Sequence, residues 1–406
     1  MRIIRGLPDF HHVPAGVRAV ILRFVISRPM PFSLMPTRRR FIQAGGTAAA
    51  ALALFPGLTS CTASADYEAV ADEIRRPLNP ATADLRELVR LATLAPSGHN
   101  AQPWKFRLAP GLIEIYPDRT RQLPAVDPDD RELWIGLGSA LENLVVAAEH
   151  LGYHPDVTYH LAGTPADHIA VALAPTTAAP DSPAAVFAAI RTRQCTRHEY
   201  DGQPVPTRGL NQLAAAATGA GIAPLLFTGP AMAPLLDYVK AGNAHQMTDD
   251  KFKTEMVHWV RFNDREALAS RDGLLGRGSG NPSLPRWVAQ LFIGSALNAK
   301  TQDKKDEANI RSSAGLLLFT SARNDPAAWL DTGRAYERFA LRSTAMGLKN
   351  SFINQPCEVP ELRAQVQSHL SLDGAFPQLL ARFGHGPAMP RSLRRPVSEV
   401  LLTTAS

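Results

Sequence analysis

Arg193, Cys195 and Arg197 alternate by two, so on an extended segment all three side chains point the same way. Two guanidinium groups aligned like this suit a phosphate and the chain that carries it, because each presents a planar fork to anionic oxygens. A solvated basic turn has the same composition. Nearer the amino end, Ala95 to Trp104 reads A-P-S-G-H-N-A-Q-P-W. Pro96 and Gly98 stop the helical pattern before it, and Ser97, His99, Asn100 and Gln102 offer short hydrogen-bonding groups on a backbone free to bend toward a ligand. The stretch reads as a binding loop, although an ordinary helix-to-strand connection could share its composition. Two further stretches could join it. Asn354-Gln355-Pro356 is on its own a turn, and R-S-L-R-R-P-V-S-E-V at 391–400 is either a charged tail or, through Arg394 with Arg391 or Arg395, a second source of phosphate charge.

Other constellations carry less. Gly276, Gly278 and Gly280 do not follow a strand and open a helix, so they suit a mobile segment better than a nucleotide loop. No His pair has metal-ligand spacing and Cys195 and Cys357 lack neighbouring ligands, so no metal is expected. His198-Glu199 beside Cys195 could suggest a thiol catalyst, but the flanking arginines fit an anion site better. Trp287 and Phe292 read as core or ligand-covering residues rather than substrate selectors.

The elements that must position these groups follow from periodicity. Leu85, Leu88, Val89, Ala92 and Leu94 give a helical apolar face ending at Pro96. Trp104 to Ala109 and Leu112 to Tyr116 predict a hairpin across Pro110-Gly111, followed by a long helix from about Glu132 to Leu151. Strands near Val157 to Leu161 and Ile169 to Leu173 precede an Ala/Pro/Thr-rich boundary at 174–184. Beyond it come a short helix at Pro183 to Ile190, a helix at Thr207 to Ala217 and a strand near Leu225. After an irregular segment at 230–305, a strand at Leu316 to Phe319, a helix at Ala327 to Met346 and a closing strand at Leu379 to Phe383 complete the pattern.

The 406 residues and 45% hydrophobic content allow a large core and two domain-sized units. The net charge of +6 invites a nucleic-acid partner until its location is considered: residues 1–60 hold eight Arg and one acid, leaving 43 − 8 = 35 basic against 37 − 1 = 36 acidic residues. The body is near neutral and has no basic stripe interleaved with aromatics, which argues against nucleic-acid binding. Residues 1–34 read as a start-site artefact upstream of Met35 or Met30. Thr37-Arg38-Arg39-Arg40-Phe41-Ile42-Gln43 matches the twin-arginine export pattern, with a weakly apolar run after it. Leu58-Thr59-Ser60-Cys61 resembles a lipobox whose Cys would be acylated, simple cleavage nearby being the alternative. The protein is therefore expected to be exported, periplasmic or on the outer face of a membrane, and to touch the membrane only through that anchor. Thr62 to Ala83 reads as a polar tether.

A repeat can be checked by counting. Asp130, Trp134, Gly138, Ala140, Glu142 and Gly152 recur 195 positions later as Asp325, Trp329, Gly333, Ala335, Glu337 and Gly347. Leu85 and Leu88 correspond to Leu210 and Leu213 at an offset of 125, so an insertion of 195 − 125 = 70 residues lies in the second half. It is expected at 230–305 as a helical lid. Where the first half has the A-P-S-G-H-N-A-Q-P-W loop, the second reads A-T-G-A-G-I-A-P-L-L-F; the first half in turn has only Arg75-Arg76-Pro77 against the second half's paired arginines.

A helix followed by A-P-S-x-x-N-x-Q-P-W and a strand resembles the flavin-contacting segment of the nitroreductase superfamily, and the divided motifs resemble its Acg-like branch over about 84–400. The resemblance implies an α+β fold in which two nitroreductase-like halves, 84–182 and 183–400, form an intrachain pseudo-dimer around one FMN, after a signal at 1–60 and a tether at 61–83. It implies that Ser97, Asn100 and Gln102 face the flavin, and that Arg193 and Arg394, with Arg395, hold the phosphate. Cys195 would stand where the family usually has Ser, Arg197 would reach the N1 and O2 edge, and Gln355 and Pro356 would line the ring. The implied activity is flavin-dependent oxidoreduction through flavin N5 to an electron-poor acceptor such as a nitroaromatic or quinone, with the flavin carrying the chemistry. The alternative is a flavin-binding or sequestering protein without turnover.

Overall fold

The computed structural model describes residues 60–80 and 82–402. The twin-arginine segment and everything before it lie outside the described residues, as does the Cys61 side chain. The first element is α1 (Ser60–Ile74), where a polar tether was expected. The correction has a simple cause: Tyr67, Val70, Ala71 and Ile74 recur at helical spacing within a polar composition, and they pack with Ala267, Leu275 and Leu393.

The first α/β body runs α2 (Leu85–Ala92), β1 (Trp104–Ala109), β2 (Leu112–Pro117), α3 (Arg131–His150), β3 (Tyr153–His160) and β4 (His168–Pro175), followed by α4 (Ala184–Thr192). Asp84 caps α2 by accepting from the Arg86 and Glu87 amides. The β1–β2 hairpin turns at Gly111, whose φ of 68° favours glycine. The second body runs α5 (Thr207–Ala216), β5 (Ile222–Phe227), then a long insertion. Within the insertion lie α6 (Ala233–Thr248), α7 (Asp250–Trp259), β6 (Val260–Arg261), α8 (Asp264–Ser270), β7 (Leu274–Leu275), α9 (Arg286–Ala296) and α10 (Ala299–Arg311). The chain closes with β8 (Gly315–Ser321), α11 (Pro326–Ala345), β9 (Lys349–Phe352), α12 (Gln355–Glu358), α13 (Pro360–His369), β10 (Phe376–Gly384) and α14 (Val397–Val400).

Each body carries a four-stranded antiparallel sheet, in the orders β1-β2-β4-β3 and β5-β8-β10-β9. Counting strands along each body, the two orders are the same. The sheets differ in what covers them. β3 alternates half-buried and exposed residues, as an edge with one wet face does. β8 is buried throughout because Leu317 and Phe319 pack toward α11 while Leu316 and Leu318 pack with Leu235, Leu236 and Val239 of the insertion. The insertion thus supplies the second face of the second sheet.

The helices α3 and α11 pack on each other through glycines. A Cβ on Gly138 would run into the Leu330 carbonyl, and one on Gly333 into the Ile135 carbonyl. The contact is reciprocal, since 330 is 135 + 195 and 333 is 138 + 195. Ser139 Oγ donates to the Gly333 carbonyl at 3.1 Å, and Arg334 and Arg338 both reach Glu142, at 2.8 and 3.2 Å. After β10 the chain crosses to the first body, where Leu402 donates to the Phe106 carbonyl beside β1.

Candidate functional site

The loop at Ser97–Gln102 is held in an unusual backbone. His99, Asn100 and Gln102 have φ of 48°, 54° and 55°, a region that non-glycine residues enter at a cost of about 1–3 kcal/mol each. Asn100 Nδ2 donates to the Gly273 and Leu393 carbonyls, and its Oδ1 accepts from Arg394 at 3.0 Å. Gln102 donates to the Arg271 carbonyl at 2.9 Å and accepts from the Arg395 amide at 2.8 Å. The two amides therefore fix the loop between the insertion and the carboxy-terminal segment, and their polar atoms are turned away from open space. Ser97 Oγ accepts from the Gln102 amide, and Ser97 itself faces a cavity.

That cavity has a volume of about 570 Å³. The first body contributes Pro96 to His99 and the first turns of α3, including Glu132, Ile135, Gly136 and Ser139. The second contributes Arg197, Ser351 to Gln355, Glu358, Leu379 and Arg382. The insertion closes much of the rest with Asn243, Gln246, Phe252, Met256, Phe262, Ile293 and Lys305. Its wall is apolar on Val126, Ile135, Phe352 and Leu379, and cationic on Arg197, Lys305 and Arg382.

The expected cofactor residues separate into two groups. Ser97, Arg197 and Gln355 line the cavity. Arg193, Cys195, Asn100, Gln102, Pro356, Arg394 and Arg395 do not. Arg193 is 3% exposed, with Nε 3.0 Å from Glu337, one amino group on the Leu94 carbonyl at 2.7 Å and the other 3.8 Å from Cys195 Sγ. Burial works against its charge, and the Glu337 carboxylate outweighs burial, so the guanidinium is held charged. Arg394 caps α2: it donates to the Thr93, Leu94 and Ala95 carbonyls at 2.7–3.0 Å, neutralising the negative end of the helix. Burial and the Arg193 charge lower it to about 10, which leaves it protonated. Arg395 lies 3.5 Å from Asp118 and 3.6 Å from Glu399. Cys195 pairs through a single β-bridge with Asn350, and both Cys195 and Cys357 are free thiols. Pro356 sits in the first turn of α12.

Trp287 and Phe292 are 67% and 60% exposed, so neither is core, though Phe292 borders the cavity. His198 and Glu199 are exposed, and no group of His, Cys, Asp and Glu among the described residues could hold a metal ion.

Two functional candidates escaped the sequence reading. Arg382 is the single charged residue in the buried strand β10, and a charge in such a run is the signal that could have found it. It donates to the Thr196 and His198 carbonyls at 2.9 and 2.8 Å and lies over the Tyr200 ring. Lys305 donates to the Ser279 carbonyl at 3.1 Å; within the highly charged α10 nothing marks it. Burial and then Arg197 lower its pKa. None of Arg197, Lys305 and Arg382 forms an ion pair among the described residues. His99, on the same wall, is pushed down to about 4 by burial and then by Arg197, so it is neutral at neutral pH. Gln355 donates to Asn243 and Asp306, but its buried Oε1 has no hydrogen-bond partner. The wall therefore offers positive charge and an unused acceptor to a ligand.

No family model matches the chain. Among known proteins it is 29% identical over 327 residues to the "Putative NAD(P)H nitroreductase Rv3131" of Mycobacterium tuberculosis, a span of 79% of this chain and 92% of that one. It is 24% identical over 334 residues to the "Putative NAD(P)H nitroreductase acg" of the same species, 78% of this chain and 94% of the relative. A solved structure of the FMN-dependent nitroreductase NfnB from Mycobacterium smegmatis in complex with NADPH aligns with 53% of this chain and 96% of its own, at 15% identity and a TM-score of 0.37. Over about four fifths of its length the chain is thus similar to relatives named as putative NAD(P)H nitroreductases.

Proposed function

We propose that the protein is an FMN-dependent oxidoreductase of nitroreductase type, with one flavin in the cavity between the two bodies' contributions. The observation that carries this reading is the unpaired set Arg197, Lys305 and Arg382 on the wall of an otherwise largely apolar cavity of about 570 Å³. The residues fit the group. A flat aromatic ring system would lie against Ile135, Phe352 and Leu379, its anionic end would meet the three cations, and an N–H on the ring would satisfy Gln355 Oε1. Bound there, FMN would supply two-electron transfer to an electron-poor acceptor such as a nitroaromatic or quinone. The chain's own part is binding and electrostatics: positive charge favours the anionic reduced cofactor, and the insertion excludes water.

The reading includes a duplication, supported by the equal strand orders and the reciprocal glycine contacts at an offset of 195. In it, the insertion serves as a lid. It also places the protein outside the cytoplasm, on the strength of the leader motif, with an anchor at Cys61. NAD(P)H is not expected there, so the electron donor would be another small molecule or protein.

A second reading, sequestration of flavin without turnover, is favoured by the share of the cavity wall that the insertion contributes. One experiment separates the two. Protein lacking residues 1–59 is purified, its visible spectrum recorded, and flavin reduction followed with NADH, NADPH and dithionite, with and without a nitroaromatic. Oxidoreduction predicts reoxidation of reduced flavin by the nitroaromatic. Flavin that dithionite reduces but no acceptor reoxidises favours sequestration, and failure to bind flavin on reconstitution removes both.

A further inference from the structure

The cationic wall has an acidic counterpart. Glu132, in the first turn of α3, and Glu358, at the end of α12, both line the cavity. The two carboxyls lie close enough that the charge of Glu358 disfavours ionisation of Glu132, so one proton is held on the pair. Asn354 donates to Glu132, and Gln246 donates to Glu358 at 2.5 Å. Glu132 also lies beneath the loop, where a Cβ on Gly98 would come within 3.3 Å of its Oε2. It therefore stands between the two segments, 96–99 and 351–355, that meet at the cavity.

The charges facing the pair come from every element around it. Arg131 is the nearest cation, 3.5 Å from Glu132, but it donates to the Gln378 and Cys357 carbonyls. Asp127 adds a third acid, held by the Leu133 amide, and Cys357 and Arg363 lie farther out. Two carboxyls and a nearby Asp around one close arginine cannot all be ionised in a site poor in water. Burial first, and then the neighbouring acid, push Glu132 well above the usual carboxylate range; burial also raises Glu358.

We propose that the Glu132–Glu358 pair is the proton donor for reduction of the acceptor in this cavity. The inference rests on the oxidoreductase reading. For a quinone, FMN bound in the cavity would supply a hydride, that is two electrons and one proton. The pair gives one proton to the resulting oxyanion, and the quinone leaves as hydroquinone. The pair, one proton short, is reprotonated from water. This proton is already stored on the cavity wall when the acceptor is reduced, and water restores it between turnovers.

The test has two arms. In the first, the carbonyl stretch of a protonated carboxyl is sought by infrared spectroscopy at neutral pH in flavin-free protein, and is expected in the wild type but lost in Glu358→Gln and in Glu132→Gln. In the second, the flavin-loaded protein is reduced anaerobically and reoxidised by a benzoquinone in single turnover. The Glu132→Gln/Glu358→Gln double variant should react about a hundredfold more slowly, with flavin affinity within about twofold of wild type. A missing carbonyl band, or wild-type reoxidation in the double variant, overturns the pair as donor. A protein that shows the band yet binds no flavin overturns the oxidoreductase reading, and the proton transfer with it.

Discussion

Arg193 and Arg197 differ in what surrounds their charge. Arg193 is spent on Glu337 and the Leu94 carbonyl, whereas Arg197 opens on the cavity without a carboxylate partner among the described residues. Arg394→Ala should leave three carbonyls at the end of α2 without their donor and cost about 3 kcal/mol, read as a lower urea midpoint. Arg197→Ala should leave that midpoint within the range of a surface change and weaken FMN binding about tenfold, read by flavin titration. The alternation at 193–197 was legible; what each side chain faces was not, because spacing reports direction along one strand and Glu337 arrives from a helix some 140 residues on. His99 carries a pH signature. Its folded pKa of about 4 lies below the ordinary 6.5, so in that window the unfolded chain binds the extra proton and stability falls as pH drops from about 6.5 to about 4. His99→Gln should flatten that part of the curve of melting temperature against pH.

At the scale of elements, the repeat was the most informative feature because its glycines have a physical task. Gly138 and Gly333 allow the backbones of α3 and α11 to touch, and each meets a carbonyl rather than a movable side chain. Gly138→Ala and Gly333→Ala should each cost more than about 3 kcal/mol, by forcing the helices apart, and should lower the unfolding midpoint by similar amounts if the contact is reciprocal. Gly294→Ala, on α9 with nothing near its Cβ position, is the control and should be neutral or stabilising. The same offset accounts for an element that hydrophobic pattern did not reveal. β3 at 153–160 displaced by 195 falls on 348–355, and β9 occupies Lys349–Phe352. Four residues with three polar members give no clear period, so only the counterpart could have located it. The helix α1 was missed for the opposite reason: its apolar stripe is short and its composition polar, and it is identified by its packing on Ala267 and Leu393.

For the whole molecule, the division of motifs has a consequence that can be counted. One cavity takes its loop from the first body and Arg197, Ser351 to Gln355 and Arg382 from the second. The second body's counterpart of that loop is a tight turn in which Gly219 and Ile222 bond to each other, leading straight into β5. A Cβ on Gly219 would meet Arg338, which donates to the Ala216 and Thr218 carbonyls, so that side is filled by protein. On the duplication reading, the corresponding position has a tight turn in place of the loop, with Arg338 packed against it. If the two bodies replace the two subunits of a symmetric dimer, the chain should bind one FMN, and do so as a monomer. Flavin absorbance against protein concentration, with native mass spectrometry on the same sample, measures both. One flavin per monomeric chain is expected; two per chain would mean that the second side opens, and occupancy only in a dimer would mean that the cavity is incomplete within one chain.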